Sequence, residues 1–364
     1  MAVLPGSGVR AQPLPAFIDS LGQRLVAGHP GGAVIGIVDD GQRTVAGFGA
    51  ADTVGTRPTA RTLFEIGSIT KTFTGLLLAE AIERGAVQLS DPATRYLPDT
   101  LNGPMHERSP ITLGQLVTHR SGLPRLPANL QPIPDPTDPY AHYTVGDLYA
   151  FLDGYRPARP PDSAYAYSNL GMGLLGHVLA RRADTSYAAL VQQRIATPLG
   201  LADTRITLTA DPQRRFARGY NPAGAPTPPW HLPALAGAGA LRSTAADMLT
   251  YLRAHLAAPD TTRLGRARQR ATTPVAPADL GDNAAFAGTR IGYGWHVTPR
   301  DGQTITWHNG GTGGFSSFAG FNRATGHGVV VLVSTGGIAR TATETGFTLL
   351  TRLARADAAE SRGR

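Results

Sequence analysis

Strand-forming sequence is concentrated at the two ends of this chain, and that separation limits the folds open to it. Residues 33–39 and 43–50 are rich in strand formers, and Asp40-Gly41-Gln42 between them is a hairpin signal. The signal returns only after residue 290, at 304–308, 316–321 and 328–334. Backbone groups in such runs need partners, so the distribution predicts one sheet drawn from both ends of the chain. Helical spacing marks 14–28 and 68–84, where Ile69, Phe73, Leu76, Leu77 and Ala81 recur and Gly85 is a stop. A last helix is expected over about 341–357. Between the ends lie short helical patterns at 111–119, 144–152, 170–182, 187–195 and 244–255. Proline-rich stretches at 122–139 and 221–233 separate some of them and read as ordered irregular loops. The expected division is a sheet region of residues 1–85 with 290–364, and a mainly helical inserted region of residues 86–289.

With 364 residues, of which 41% are hydrophobic, the chain can bury a large core and exceeds the usual single domain. The net charge of +8 raises the question of nucleic acid. The arginines are scattered and aromatic residues do not interleave with them, so no nucleic-acid partner is expected. The densest group, Arg263, Arg266, Arg268 and Arg270, reads as a solvated face in preference to a lure for an anionic substrate. Cysteine is absent, which removes disulfides and thiolate metal sites, and no His-Glu-x-x-His pattern occurs among the 10 histidines. No metal is expected. The first 25 residues lack a basic start followed by an apolar run, and no stretch approaches the ~20 apolar residues of a membrane span. The expectation is a cytoplasmic protein without a membrane segment, or a secreted one if a leader has been trimmed; oligomeric state is not legible.

Of the 34 lysines and arginines, only Lys71 is lysine. A guanidinium stays protonated at any working pH, whereas a buried amine gives up its proton readily. A lone Lys in an Arg-using chain therefore points to a proton acceptor. Ser68 lies three residues before it, after Gly67 and at the expected start of a helix. There its backbone N–H is unpaired and the helix dipole favours negative charge, while Lys71 is one turn along on the same face. The set makes an activated nucleophile with half an oxyanion hole; the alternative is a plain helix cap.

Two further segments carry chemistry. Tyr167-Ser168-Asn169 stands between a proline-rich loop and a helix, where a Tyr can move a proton and an amide can hold a substrate carbonyl. A packed Tyr beside a capping Asn explains the same residues, and Tyr165 is a rival that lacks the Asn two positions on. Trp307-His308-Asn309-Gly310-Gly311 and the glycines after it follow a strand, which lets backbone approach something closely. Here the alternatives are a flexible hairpin or a phosphate loop. The latter is weakened because no Lys follows and the next segment is a strand.

In this order, Ser68-x-x-Lys71, Tyr167-x-Asn169 and His308-x-Gly310 resemble the three motifs of the serine β-lactamase and penicillin-binding protein superfamily. The likeness is to its class C-like branch, which includes D-alanyl-D-alanine carboxypeptidases, family VIII esterases and transacylases. Segments LSDPATRYLP at 89–98, ITLGQLVTHRSGLP at 111–124, TPLGLADT at 197–204 and GALRSTAADMLTYL at 239–252 extend it to about residues 16–355. The resemblance implies an α+β fold, an α/β sandwich whose antiparallel sheet is flanked by helices. It adds an inserted all-helical lobe, with the active site between lobe and sheet. It implies Ser68 as nucleophile, Lys71 with Tyr167 as the proton-transfer pair, and Asn169 orienting the substrate. His308 would bind or polarise the substrate beside Gly310, and the N–H groups of Ser68 and Gly311 would form the oxyanion hole. No metal or organic cofactor is implied. His308 stands where typical class C β-lactamases carry Lys, so the expected activity is an esterase or transacylase on a small-molecule or peptide-like acyl substrate. A D,D-peptidase or aminopeptidase of the penicillin-binding type and a class C-like β-lactamase are the alternatives, and a non-catalytic binding protein is disfavoured by the intact Ser68 and Lys71.

Overall fold

The computed structural model describes residues 12–101, 110–157, 159–258, 260–281 and 283–363. Residues 1–11, part of the segment read above for an export signal, lie outside them. Helix α1 (Leu14–Val26) leads into β1 (Gly32–Asp39) and β2 (Gln42–Gly49). Asp39 pairs with Gln42, leaving a turn of Asp40 and Gly41 whose φ angles are 43° and 75°. A turn with two left-handed residues matches the twist of the strands it joins, and Asp-Gly adopts it at small cost.

Next come β3 (Leu63–Glu65), a single 3-10 turn (Gly67–Ile69) and α2 (Thr70–Glu83). The middle of the chain contributes α3 (Asn169–Arg182), β4 (Arg242–Thr244), which pairs with β3, then α4 (Ala245–Leu256) and α5 (Arg263–Thr272). It ends in the short β5 (Ala276–Pro277). The remainder is β6 (Arg290–Ile291), β7 (His296–Arg300), β8 (Gln303–Gly311), β9 (Ser316–Asn322), β10 (His327–Val333) and α6 (Ala339–Gly363).

One antiparallel sheet runs β2-β1-β10-β9-β8-β7-β6-β5. Its two ends of chain meet where β1 lies along β10, with Ala33 opposite Val333 and Val38 opposite Gly328. Alternation sends Ala33, Ile35 and Ile37 with Val329, Val331 and Val333 into a core shared with residues of α1 and α6. Val34 and Val38, with Val330 and Leu332, face the larger core that holds Leu249 of α4 and Phe73 of α2. Both faces are covered, so β1 reads as a continuous apolar run instead of an alternating one.

Two local readings change, and one gains detail. The helix expected over 68–84 begins as a 3-10 turn, and its α part starts at Thr70. The helix expected over 187–195 is α-helical only through Val191, then passes into a π turn (Gln192–Ala196). The arginine group at 263–270 lies on α5 with Arg263, Arg266 and Arg270 exposed, the solvated face expected, and only Arg268 turned inward. Arg266 and Arg270 both pair with Glu83 at the end of α2, at 2.8 and 2.7 Å, and Arg268 pairs with Asp260 at 2.6 Å. Among the described residues no helix is long and apolar enough to cross a membrane.

Candidate active site

Ser68 sits in the 3-10 turn because Gly67 before it takes φ +50°, a backbone turn that only glycine makes without strain. The turn is pinned on both sides. Ile66 N donates to Leu241 O at 3.1 Å, and Ser317 Oγ on β9 donates to Ile66 O at 2.9 Å. This presses the turn against the end of β8. A Cβ built on Gly310 would lie 2.1 Å from Ile66 O, so glycine there lets strand and turn approach.

Lys71, the second residue of α2 and one turn past Ser68, is fully buried. Its Nζ lies 2.9 Å from Ser68 Oγ, 2.8 Å from Asn169 Oδ1 and 2.7 Å from Ala238 O. Two of these partners are carbonyl oxygens, which can only accept. Burial, aided by the Arg125 guanidinium nearby, pushes the Lys71 amine well below its ordinary pKa. A neutral amine has two N–H bonds and one lone pair. With both N–H bonds taken by Asn169 and Ala238, the lone pair faces the Ser68 hydroxyl.

Tyr167 and Asn169 reach the site because Ser168 between them is fixed. Its Oγ accepts from Gly171 N at 2.8 Å, capping α3, and donates to Pro124 O at 2.6 Å. Its N–H donates to His119 Nδ1 at 3.1 Å. The Tyr167 ring then lies 4.8 Å from Lys71 Nζ. Burial raises the Tyr167 phenol above its ordinary pKa, so the group keeps its proton at neutral pH. The rival Tyr165 is aimed elsewhere: its hydroxyl lies 3.0 Å from His296 Nε2. The Asn169 amide is oriented by Lys71, and the Tyr140 phenol is raised by burial.

His308 departs from its expected part. It is 1% exposed and does not line the cavity in front of Ser68. Its Nδ1 lies 2.5 Å from Asn309 O, and its ring stacks on His296 at 5.0 Å. Burial pushes its pKa well below the usual imidazole value, with further lowering from His296 and Lys71. A neutral, enclosed imidazole cannot offer charge to a substrate carboxylate. It packs behind Tyr167 instead, at 6.1 Å between ring centres, with His119 against the same ring at 4.5 Å. Among the described residues no group of His, Asp and Glu is placed to hold a metal ion.

The cavity in front of Ser68 measures about 1080 Å³. Gly310 and Gly311 form its floor at the sheet edge, and Phe286, Trp307 and Phe347 form an apolar wall. Tyr140, Trp230 and Arg125 come from the irregular stretches before α3 and β4. The glycines that follow β8 form a tight hairpin, with a Cβ on Gly313 falling 2.8 Å from Trp230 Nε1, so the phosphate-loop alternative is not realised. Sequence reasoning missed Ala238 O, Arg125, His119 and His296. A backbone carbonyl carries no residue signature, and the other three gain meaning only from their position.

The β-lactamase family profile matches residues 18–351. The D-alanyl-D-alanine-carboxypeptidase/endopeptidase AmpH of Escherichia coli K12 is 29% identical over 329 residues, covering 85% of this chain and 82% of that protein. A β-lactamase of Pseudomonas fluorescens is 27% identical over 335 residues, 83% of this chain and 88% of its own. Among solved structures, a class C β-lactamase from Rhodobacter sphaeroides superposes with a TM-score of 0.76 at 28% identity, covering 92% of this chain and 99% of that one.

Proposed function

This chain belongs to the β-lactamase family and is a serine hydrolase of it; we propose that it works through an acyl-Ser68 intermediate, as an esterase or transacylase on a small or peptide-like acyl substrate. The observation that carries the reading is the coordination of Lys71 Nζ, which leaves one lone pair and aims it at Ser68 Oγ. The amine takes the hydroxyl proton as Ser68 Oγ bonds the substrate carbonyl carbon. The N–H groups of Ser68 and Gly311 receive the oxyanion at the junction of the 3-10 turn and β8. When the tetrahedral intermediate collapses, the bond to the leaving group breaks and Tyr167 gives that group its proton. Lys71, now an ammonium, restores the proton to Tyr167. Water or a second nucleophile then attacks acyl-Ser68 by the same steps in reverse. The cleft between the sheet region (residues 1–85 and 290–364) and the inserted region (86–289) is read as the place where this happens.

The neutral, enclosed His308 supports ester or acyl-transfer chemistry over β-lactam hydrolysis, because the sheet edge offers no cation there. A D-alanyl-D-alanine carboxypeptidase is the second reading, favoured by the similarity to the Escherichia coli protein of that name. Intact-protein mass after incubation with a penicillin and with activated esters separates them, alongside Ser68→Ala. A lasting penicillin adduct on Ser68 supports the peptidase, and turnover with a fleeting adduct supports a β-lactamase. Adducts from esters alone support the esterase or transacylase. No adduct from any donor, or adducts that persist in Ser68→Ala, overturns the acyl-Ser68 reading.

A further inference from the structure

Tyr167 lies between two hydrogen bonds that end on one residue. Ala166 N donates to His119 O at 2.7 Å, and Ser168 N donates to His119 Nδ1 at 3.1 Å. The N–H groups on either side of Tyr167 are thus held by the backbone and the side chain of the same histidine. The His119 ring also lies against the Tyr167 ring, with centres 4.5 Å apart and planes at 33°. His119 is itself anchored away from the cavity, which it does not line. It follows the short helix Leu113–Val117, where Arg120 N donates back to Gln115 O at 2.9 Å. Two features of His119 oppose folding. Its backbone takes φ +57°, a left-handed conformation that histidine adopts seldom. Burial, with Lys71 nearby, lowers its pKa well below the usual imidazole value, so the ring is neutral. Nδ1 accepts, which leaves the ring proton on Nε2, and Nε2 is buried without a hydrogen-bond partner among the described residues. Stability alone does not account for a histidine here.

From this arrangement we propose that His119 is a positioning residue for the reaction, holding the Tyr167 phenol where the leaving group departs and acting on catalysis only through Tyr167. The inference rests on the acyl-Ser68 reading, in which Tyr167 gives the leaving group its proton. A phenol swings about two side-chain bonds unless its backbone and its ring are both held. His119 holds both, and a proton donor displaced by about 1 Å loses on the order of 100-fold in rate. Neutrality matters to the grip. A protonated ring would turn an N–H at Nδ1 toward the Ser168 N–H, donor against donor, and the tie would be lost. The cap that Ser168 Oγ places on α3 fixes only the segment after Tyr167. The bonds to His119 fix the segment on both sides of it.

The test is a series of esters of one acyl group, with leaving groups from 4-nitrophenol through phenol to a simple alcohol. A nitrophenolate departs without a proton and an alkoxide needs one, so the demand on Tyr167 rises along the series. In His119→Leu, kcat/KM for acylation should fall by less than about 3-fold with the nitrophenyl ester and by about 10- to 100-fold with the alkyl ester. His119→Asn should recover part of that loss, because its Oδ1 can accept from Ser168 N and asparagine tolerates a left-handed backbone. If His119→Leu does not fold, His119→Asn carries the same test, since its smaller loss should keep the dependence on leaving group. In Tyr167→Phe the histidine substitution should cost less than about 2-fold more. A loss equal for all leaving groups overturns the inference, because a loosened chain slows every ester alike. A loss that adds in full to that of Tyr167→Phe also overturns it. In those cases acyl-Ser68 still forms from the nitrophenyl ester and the serine-hydrolase reading stands. Absence of acyl-Ser68 from every ester in the native chain overturns both.

Discussion

Gly67 faces Gly311 so closely that a Cβ on Gly67 would lie 2.7 Å from the Gly311 nitrogen. The two N–H groups assigned to the oxyanion, those of Ser68 and Gly311, are therefore set by backbone packed on backbone, with no side chain between.

Gly310→Ala tests that contact, since its methyl group would fall 2.1 Å from Ile66 O. Overpacking of this kind costs about 1–3 kcal/mol. The variant should melt several degrees lower and form acyl-Ser68 at least about 100-fold more slowly, as expected when an oxyanion donor is misplaced. Gly311→Ala is the contrast: the nearest atom to its Cβ is 3.9 Å away, so its melting temperature should stay within about 2 °C of the native chain. Scanning calorimetry and stopped-flow acylation check both; equal melting temperatures would remove the packing argument.

The proposed base role needs a neutral Lys71, and burial has lowered its pKa. Acylation should accordingly be full at high pH and fall as pH drops through the lowered value. Lys71→Arg keeps the positive charge but has no accessible neutral form, so kcat/KM for acylation should drop by about 100-fold or more at every pH. A Lys71→Arg enzyme with native acylation would make Lys71 a structural charge only.

Histidines predict the acid limit of stability. Burial lowers His296 to about 4 and His255 to about 3, from 6.5. Between those values and 6.5 the unfolded chain binds more protons than the folded one. Their contribution is thus full above about pH 6.5 and is lost as pH falls toward the folded values, at about 1 kcal/mol per pH unit for each histidine. His255 lies away from the site, between Tyr251, Trp295 and Phe321. Urea melts of His255→Leu should lose stability between pH 6.5 and 5 less steeply than the native chain does. Parallel slopes would mean that His255 does not titrate on unfolding.

Ser168→Ala removes the cap of α3 together with the tie to Pro124. The loss should be about 1–3 kcal/mol, seen as a melting temperature lower by several degrees. Because Tyr167 and Asn169 flank it, kcat/KM should fall as well while the pH profile set by Lys71 keeps its shape. A shifted acid limb would mean that Ser168 acts on Lys71 itself.

What could be read from the sequence follows from where information is local. The strand at 328–334 was legible because both faces are buried and the run is apolar, those at 304–308 and 316–321 by their β-branched and aromatic residues, and the Asp40-Gly41 turn because only certain residues make it. Strands β5 and β6 have two residues each and β7 contains Pro299, so no pattern marked them. Helix α5 was hidden because its buried side carries Ala267 and Ala271 beneath a display of arginines. At the site, Lys71 announced itself by being alone of its kind. The neutrality of His308 did not, because burial is decided by strands and helices far away in sequence. Arg125 was one arginine among many until α3 clamped its backbone beside Ser68.

The pairing of β1 with β10 also bears on how the protein is made. Residues 33–38 can pair with β2 at once, but their second partners are missing until residues 328–333 have left the ribosome. Throughout most of translation the apolar strand β1 keeps one edge open, a state prone to aggregation. The same delay keeps the nascent chain inert, since Gly310 and Gly311 arrive long after Ser68. If Ser68 and Gly311 receive the oxyanion as proposed, reactivity is a property of the finished molecule alone, and a chain stalled short of β8 would carry a serine and its amine without the second donor.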